Sequence, residues 1–314
     1  MESYSHSEQD RKPPLIVIVG PTAVGKTALA LHLGRALDAE VVSADSRQVY
    51  RGMDIGTAKP TREERRLVPH HLIDVVDPDE TLGLAQYQTM AYAAIDDILA
   101  RGRLPLLVGG SGQYVRAVVE GWGIPRVGPD QALREELYHQ AETQGAEALH
   151  ARLRALDPVA ADRIDYRNVR RVIRALEVCL RTGERISELQ RRCPPPYRIL
   201  QIGLTMPRPS LYRHIDERVD RMMAAGLVAE VESLVAQGYD YTLPSMSGLG
   251  YRQIGAYLRG EISLDEAVRL IKRETRRFVR QQYNWFRLDD ERIHWFDVEV
   301  HSPWEIEAVA ATFA

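Results

Sequence analysis

Cysteine is nearly absent from this chain. Its 314 residues hold two, Cys179 and Cys193, with no CxxC spacing and no histidine cluster beside them. That excludes a disulfide scaffold and a zinc site and fits a reducing compartment. Long apolar stretches are missing as well. No run of roughly 18 apolar residues exists, which excludes a membrane-spanning helix. The opening MESYSHSEQDRKPP is polar where a signal peptide is apolar, so a cytoplasmic protein with a flexible tail over residues 1–12 is expected. Internal repeats and low-complexity segments are lacking too.

An excess of charge of one sign is also lacking: the formal net charge is −3. The distribution says more than the sum. From Arg163 to Arg192 there are nine arginines against four acids, and from Arg269 to Arg287 seven basic residues against Glu274. Two solvated helix faces would look like this, and so would two surfaces for a phosphate backbone. Charge alone does not choose between them.

What the chain has is an ordinary apolar fraction of 45%, enough for a substantial core. Strand-like runs at Leu15–Val19, Ala39–Ser43, Leu104–Val108, Arg198–Thr205 and Ile293–Val298 alternate with helical patterns. The helices are expected over 26–37, 86–101, 209–224, 227–237, 251–259 and 264–286. Such alternation predicts an α/β fold with a mostly parallel sheet covered on both faces. From Pro129 to Arg192 strands disappear. Only helix-period segments remain, broken at Gly145, Asp157-Pro158 and Gly183 and ended by Pro194-Pro195-Pro196. Residues 123–199 are therefore read as an all-helical insertion into a core formed by 13–122 and 200–314.

Gly20-Pro21-Thr22-Ala23-Val24-Gly25-Lys26-Thr27 matches the P-loop pattern G-x(4)-G-K-[ST]. Average residue usage makes such a match in a chain of this size roughly a one-in-a-hundred event. Its place between a strand and a helix is the context the mechanism needs. Backbone N–H groups and the helix N-terminus cradle phosphate oxygens, Lys26 reaches the outer phosphate, and the Thr27 hydroxyl coordinates Mg²⁺. The P-loop does not say which diphosphate is held. A nucleotide hydrolase usually adds an apolar strand ending in Asp. Here Leu104–Val108 runs into Gly109-Gly110-Ser111-Gly112, with no acid, so ATP hydrolysis loses ground. The neighbouring strand instead delivers Asp45-Ser46-Arg47-Gln48 to the same crevice. An aspartate there serves equally well as a helix cap, as a partner that orients the water on a metal, or as a general base.

These blocks resemble the bacterial tRNA dimethylallyltransferases. The similarity is carried by Gly20–Thr27, by SADSRQVYRGMDIGTAKP from Ser43 to Pro60, and by VPHHLID from Val68 to Asp74. It continues through VGGSG at Val108–Gly112, RVIRALE at Arg171–Glu177 and GYRQ at Gly250–Gln253, and so spans nearly the whole chain in order.

The resemblance implies a P-loop NTPase-like core with a helical tRNA-binding insertion; the lack of sustained heptads or a sizeable exposed apolar stripe makes a monomer the expectation. It implies transfer of a dimethylallyl group from its diphosphate to N6 of the adenosine just 3′ of the anticodon, with Mg²⁺ as cofactor. Asp45 becomes the general base, with Lys26 and Thr27 catalytic through the diphosphate. Residues Gly20 to Thr27, with Arg218, hold that diphosphate. Ser46, Arg47 and Gln48 line the adenine pocket beside Asp45. Ser111, Arg134, Asn168, Val169, Arg170, Arg171, Val172 and Arg280 stand where the family touches tRNA, and Arg174 and Arg276 are further phosphate candidates. The family's clamp on the anticodon stem-loop is expected from core and insertion together.

Four positions depart from the family pattern: Ser111 and Gln113 stand where Thr and Leu are usual, and Gln281 and His214 where Arg is common. Three other readings remain: a dimethylallyltransferase acting on free adenylate, an ATP-dependent small-molecule kinase, and an RNA-binding protein with a relic P-loop. The arginine-rich insertion argues against the first, and a labelled donor separates the second. Intact Lys26, Thr27 and Asp45 argue against the third. His70-His71 is read as structural, since neighbours on an extended segment point opposite ways. Tyr283–Phe286 is read as core before RNA stacking.

Overall fold

The computed structural model describes residues 12–314, so the expected tail, apart from Lys12, lies outside the described residues. Six strands form one parallel sheet in the order β3-β2-β4-β1-β5-β6. They are β1 Pro14–Val19, β2 Ala39–Ser43, β3 His70–His71, β4 Leu104–Val108, β5 Arg198–Thr205 and β6 Ile293–Asp297. The fold class is α/β as the sequence predicts.

The centre of the sheet explains its own sequence. Alternate residues of β1 feed opposite faces. Leu15, Val17 and Val19 pack with Tyr87 and Ile95 on one side. Ile16 and Ile18 pack with Leu29, Leu33 and Ile215 on the other. A strand buried on both faces has no reason to alternate with polar residues, hence the unbroken LIVIV.

Helices cover the faces: α1 Lys26–Ala36, α2 Arg62–Leu67, α3 Leu84–Ala100 and α4 Gly112–Val119 before the helical segment, with five more after it. Within the segment lie α5 Gln131–Gln144, α6 Ala146–Leu156, α7 Pro158–Arg163, α8 Val169–Thr182 and α9 Ile186–Leu189. The chain then continues as α10 Arg208–Ala224, α11 Leu227–Ala236, α12 Tyr251–Leu258, α13 Leu264–Trp285 and α14 Pro303–Phe313. Among the described residues no helix is long and apolar enough to cross a membrane.

Glu120–Pro195 forms one compact unit; the segments up to Val119 and from Pro196 form the other. The smaller unit has its own core of Leu137, Leu149, Leu153, Val172, Ile173 and Leu176. Its helix breaks fall where expected. Gly145 closes α5, Asp157 caps α7 by accepting from Ala160 N–H at 2.9 Å, and Gly183 ends α8 at φ 75°.

Four elements go beyond the sequence reading, the first being the eight-residue α4. The two-residue β3 is too short to carry a pattern. Helix α2 buries no residue, and α14 buries only Ile306 and Ala310, so neither shows an apolar stripe. Both carry a capping box instead, Thr61 with Glu64 and Ser302 with Glu305.

Candidate active site

The P-loop turns at the end of β1. Gly20 has φ 144°, and a Cβ there would sit 2.5 Å from the Leu204 carbonyl oxygen of β5, so no side chain fits. Gly25 caps α1 at φ 103° and offers no side-chain bond, which leaves the first N–H groups of the helix open to an anion. Lys26 opens α1 and turns back over the loop, donating from Nζ to the carbonyls of Gly20 at 2.9 Å and Pro21 at 2.8 Å. Thr27 follows in the first helical turn, half-buried.

The next strand end supplies Asp45. Its Oδ1 accepts the Arg47 backbone N–H at 2.8 Å, a local turn that fixes the carboxylate, and Oδ2 has no hydrogen-bond partner among the described residues. Ser111, from the loop after β4, accepts the Ser46 N–H at 2.9 Å and lies 3.2 Å from the Ser46 hydroxyl. The Ser111 hydroxyl, which a threonine would also supply, is thus spent holding the residue beside Asp45. Arg47 donates to the Pro244 carbonyl at 2.9 Å, and Gln48 spans from the Ser43 hydroxyl at 3.2 Å to the Ala58 carbonyl at 3.3 Å. Beneath them Tyr87 and Tyr114 stack at 3.7 Å, their hydroxyls kept protonated first by burial and then by neighbouring charge, Asp45 included.

Arg218 on α10 joins this group. Neither neighbouring acid, Glu217 or Asp220, forms an ion pair with it among the described residues, and Asp220 pairs with Lys272 at 2.6 Å. The electrostatics show the convergence. Burial, then the like charge of Arg218, pushes Lys26 down to about 8, while Asp45 works the other way. Burial likewise lowers Arg218, again opposed by Asp45. Two desolvated cations feel each other's charge and that of one nearby carboxylate, and the surplus positive charge is what a diphosphate would neutralise.

Three side chains that hold this site were not singled out in the sequence. Gln282 on α13 is 3% exposed, accepts the Thr22 N–H of the P-loop at 2.8 Å and donates to the Gly110 carbonyl at 3.2 Å. Glu230 on α11 accepts the backbone N–H groups of Asp54, Ile55 and Gly56 at 2.9, 2.7 and 3.1 Å, and the Tyr251 hydroxyl at 2.7 Å. Lys59 ties the Tyr50 carbonyl to Asp54 and Asp74. One signal was available for Gln282. It falls on the buried stripe Ile271, Thr275, Val279, Gln282, where an amide needs a reason.

The basic residues divide into tied and free. In the helical unit Arg134 forks onto the fully buried Glu177 at 2.7 and 2.9 Å, and Arg174 reaches the same carboxylate at 2.5 Å and the Val127 carbonyl at 2.9 Å. Asn168 caps α8, accepting from Arg171 N–H at 3.3 Å. Arg170 and Arg171 are exposed with no side-chain partner among the described residues. Val172 is fully buried and offers RNA no side chain, while Val169 is half-buried against that core. In the larger unit Arg276 is held by Asp216 at 2.5 Å. Arg280 is exposed and lines a cavity of about 740 Å³ with Arg208, Tyr212, Tyr283 and Asn284.

His70 and His71 are structural. His70 bonds the Val68 carbonyl at 2.7 Å, and His71 meets the buried Glu40 at 2.6 Å. Tyr283 bonds Thr205 at 3.0 Å, and Phe286 is 2% exposed, so the aromatic cluster packs inward. No group of three or more acidic, cysteine or histidine side chains among the described residues is placed to hold a metal.

The sequence pattern described as IPP transferase matches residues 48–289, and that described as isopentenyl transferase matches 13–73. A tRNA dimethylallyltransferase of Roseiflexus castenholzii is 62% identical over 87% of this chain and 90% of its own length. One from Thermomicrobium roseum is 54% identical over 92% and 88%. The crystal structure of the full-length tRNA isopentenylpyrophosphate transferase from Bacillus halodurans is 43% identical with a TM-score of 0.71, covering 96% of both chains. A eukaryotic dimethylallyltransferase acting on tRNA is 25% identical with a TM-score of 0.78, covering 96% of this chain and 78% of that one.

Proposed function

The chain belongs to the IPP transferase family, and on that premise we propose that it transfers a dimethylallyl group from dimethylallyl diphosphate to N6 of the adenosine just 3′ of the anticodon in tRNA. The product is N6-(dimethylallyl)adenosine, and diphosphate leaves. The observation that carries this reading is the P-loop with Lys26 folded back over it and Asp45 fixed at the adjoining strand end, with Arg218 near enough for the charges to act on one another.

The chemistry follows from those three groups. As the C1–O bond of the donor breaks, negative charge grows on the diphosphate. Lys26, Arg218 and the open N–H groups of α1 stabilise it, and more strongly where water is excluded. The exocyclic amine of adenine is a weak nucleophile, so it gains from a base. As the N6–C1 bond forms, the Asp45 carboxylate accepts the N6 proton, its Oδ1 being held by Arg47 N–H. Ser46, Arg47 and Gln48 are fixed around it, and the target base must leave its stack to reach them.

The donor set at the P-loop suits Mg²⁺ in the way phosphate sites usually hold it: one hydroxyl, Thr27, with the remaining ligands from diphosphate and water. When bound it neutralises diphosphate charge. The same reading puts the protein in the cytoplasm as a monomer, with Arg170, Arg171 and Arg280 meeting tRNA phosphates.

The test is to incubate the protein with labelled dimethylallyl diphosphate or labelled ATP, Mg²⁺ and unmodified tRNA. Label entering tRNA from the prenyl donor is expected. Label passing from ATP to a small metabolite, with none reaching tRNA, would overturn the reading.

A further inference from the structure

Helix α13 carries a basic outer face and a single buried amide, and the amide touches both loops that build the active site. Gln282 Oε1 accepts from the P-loop at Thr22, and Nε2 donates to the Gly110 carbonyl after β4. Gly110 leaves no slack at that contact, because a Cβ there would lie 2.3 Å from Gln282 Nε2. The next residue, Ser111, holds Ser46 beside Asp45. One turn along, Trp285 closes over Gly112, where a Cβ would come within 2.1 Å of the indole, and the Trp285 carbonyl accepts from Arg116 at 2.6 Å. On the opposite face Arg277 and Arg280 are exposed with no side-chain partner among the described residues.

We propose that Gln282 is a positioning residue that couples RNA held on the basic face of α13 to the diphosphate loop and to the Asp45 strand end. The inference rests on the transferase reading above. A primary amide is needed because the position requires an acceptor toward Thr22 and a donor toward Gly110 at once. A displacement of α13 as its arginines engage phosphates is passed to both loops through this side chain, since close-packed contacts do not absorb it. Binding of RNA and binding of the prenyl donor then assist each other, and by linkage they do so equally in both directions.

The test measures the dissociation constant of dimethylallyl diphosphate with and without a saturating anticodon stem-loop RNA. Wild-type protein is compared with Gln282→Met, which keeps the volume but neither hydrogen bond, and with Gln282→Glu, which keeps only the acceptor. In the wild type, RNA is expected to tighten donor binding by about 5- to 150-fold, the usual span of coupling between sites. In Gln282→Met the factor should fall to about one, with RNA affinity in the absence of donor within a few-fold of normal. Gln282→Glu should also lose most of the coupling. Because Glu matches Gln in shape, it keeps the question open to an answer if the Met variant folds poorly. A merely structural role would weaken both ligands alike and leave their ratio unchanged. Wild-type coupling retained in either folded variant, or no coupling in the wild type, overturns the proposal. Transfer to tRNA is assayed on the same wild-type preparation: coupling without transfer counts against the transferase reading, and transfer without coupling counts against Gln282.

Discussion

The Lys59 ammonium, on a side chain 1% exposed, lies 2.6 Å from Asp74 Oδ1, and this pair joins the GTAKP and HHLID segments into one support. Asp74 N–H donates to the Gln48 carbonyl at 3.2 Å, and Gln48 reaches back to Ala58 beside Lys59. The loop that presents Asp45, Ser46, Arg47 and Gln48 therefore rests on a buried ion pair. Replacing Asp74 with Asn leaves Lys59 with Asp54 as its remaining carboxylate at 2.7 Å. The expected cost is about 1–3 kcal/mol in urea unfolding, below the full penalty for an orphaned buried charge because Asp54 remains. Burial pushes the Asp74 carboxyl up, but bonds from Lys59 and Arg65 outweigh it and hold the group low. A lowered carboxylate contributes stability above its unfolded value, and that contribution is lost as pH falls below about 4. The difference between wild type and Asp74→Asn should narrow over that range. A constant difference from pH 7 to pH 3 would remove Asp74 from the support.

Glu40 makes a second acid-sensitive knot under β2. Arg101 grips it, burial opposes, and His71 and Arg103 add their bonds; the result holds the carboxyl down to about 2. The sign is again that of a depressed acid, so stability present at neutral pH disappears as pH drops from about 5 toward 2. Arg101 is 41% exposed, so solvent screening reduces the effect to about 1–2 kcal/mol. Glu40→Gln should lower stability by that amount at pH 7 and flatten the acid limb of a pH titration of Tm. An unflattened limb would show that other carboxylates govern acid unfolding.

The sheet was legible because its central strands are buried on both faces and spell this out as apolar runs. The active-site loops were legible for a different reason. Lys26 and Asp45 act within a few residues of the strand ends that carry them, so local sequence contains the whole motif. Gln282 and Glu230 were not legible because their partners lie 260 and about 175 positions away, at Thr22 and at residues 54–56. The arginines show the same limit in reverse. Arg134, Arg170, Arg171 and Arg174 look alike as letters, and only packing shows that a buried Glu177 claims the first and last of them.

Lys26 gives activity a pH limit that stability does not share. With its pKa at about 8, the ammonium is lost in the free enzyme above that pH. The value of kcat/KM for dimethylallyl diphosphate should therefore fall as pH rises through about 8, while kcat at saturating donor, where the diphosphate holds the proton in place, falls later. Folding moves the opposite way. A lysine lowered in the folded state makes stability rise between the folded and unfolded pKa values, so Tm should not drop over pH 8 to 10 on this group's account. A kcat/KM profile flat to pH 10 would show that Lys26 stays charged and that its burial is offset.

Asp45→Ala removes the proton acceptor and leaves the Lys26 and Arg218 side chains in place. The chemical rate in single turnover should fall by about 10²–10⁴, the range for general-base catalysis, with tRNA affinity within a few-fold of normal. Asp45→Asn tests the alternative that Asp45 serves only as a turn residue. Asparagine can still accept from the Arg47 N–H, so near-normal rate with Asn would leave Asp45 a structural role and no catalytic one.

The free and tied arginines of the helical unit should separate in salt. Each phosphate contact contributes roughly 0.7–0.9 to the slope of log affinity against log salt, so Arg170→Ala and Arg171→Ala should each flatten the slope by about that much. Both side chains are exposed at the start of α8 and hold no partner that the fold would miss, so thermal stability should stay within about 0.5 kcal/mol. Arg134→Ala differs in kind. Its guanidinium forks onto Glu177, whose side chain is 0% exposed, and Glu177 also accepts the Asp130 N–H at the start of α5. Removing Arg134 leaves that carboxylate with Arg174 as its one cation, so the helical unit should lose about 2–4 kcal/mol. Any loss of RNA affinity in Arg134→Ala should follow the unfolded fraction and vanish at low temperature, with the salt slope unchanged. If Arg134→Ala flattens the slope in a fully folded protein, the arginine meets RNA while it holds Glu177, and Glu177 becomes part of the RNA surface.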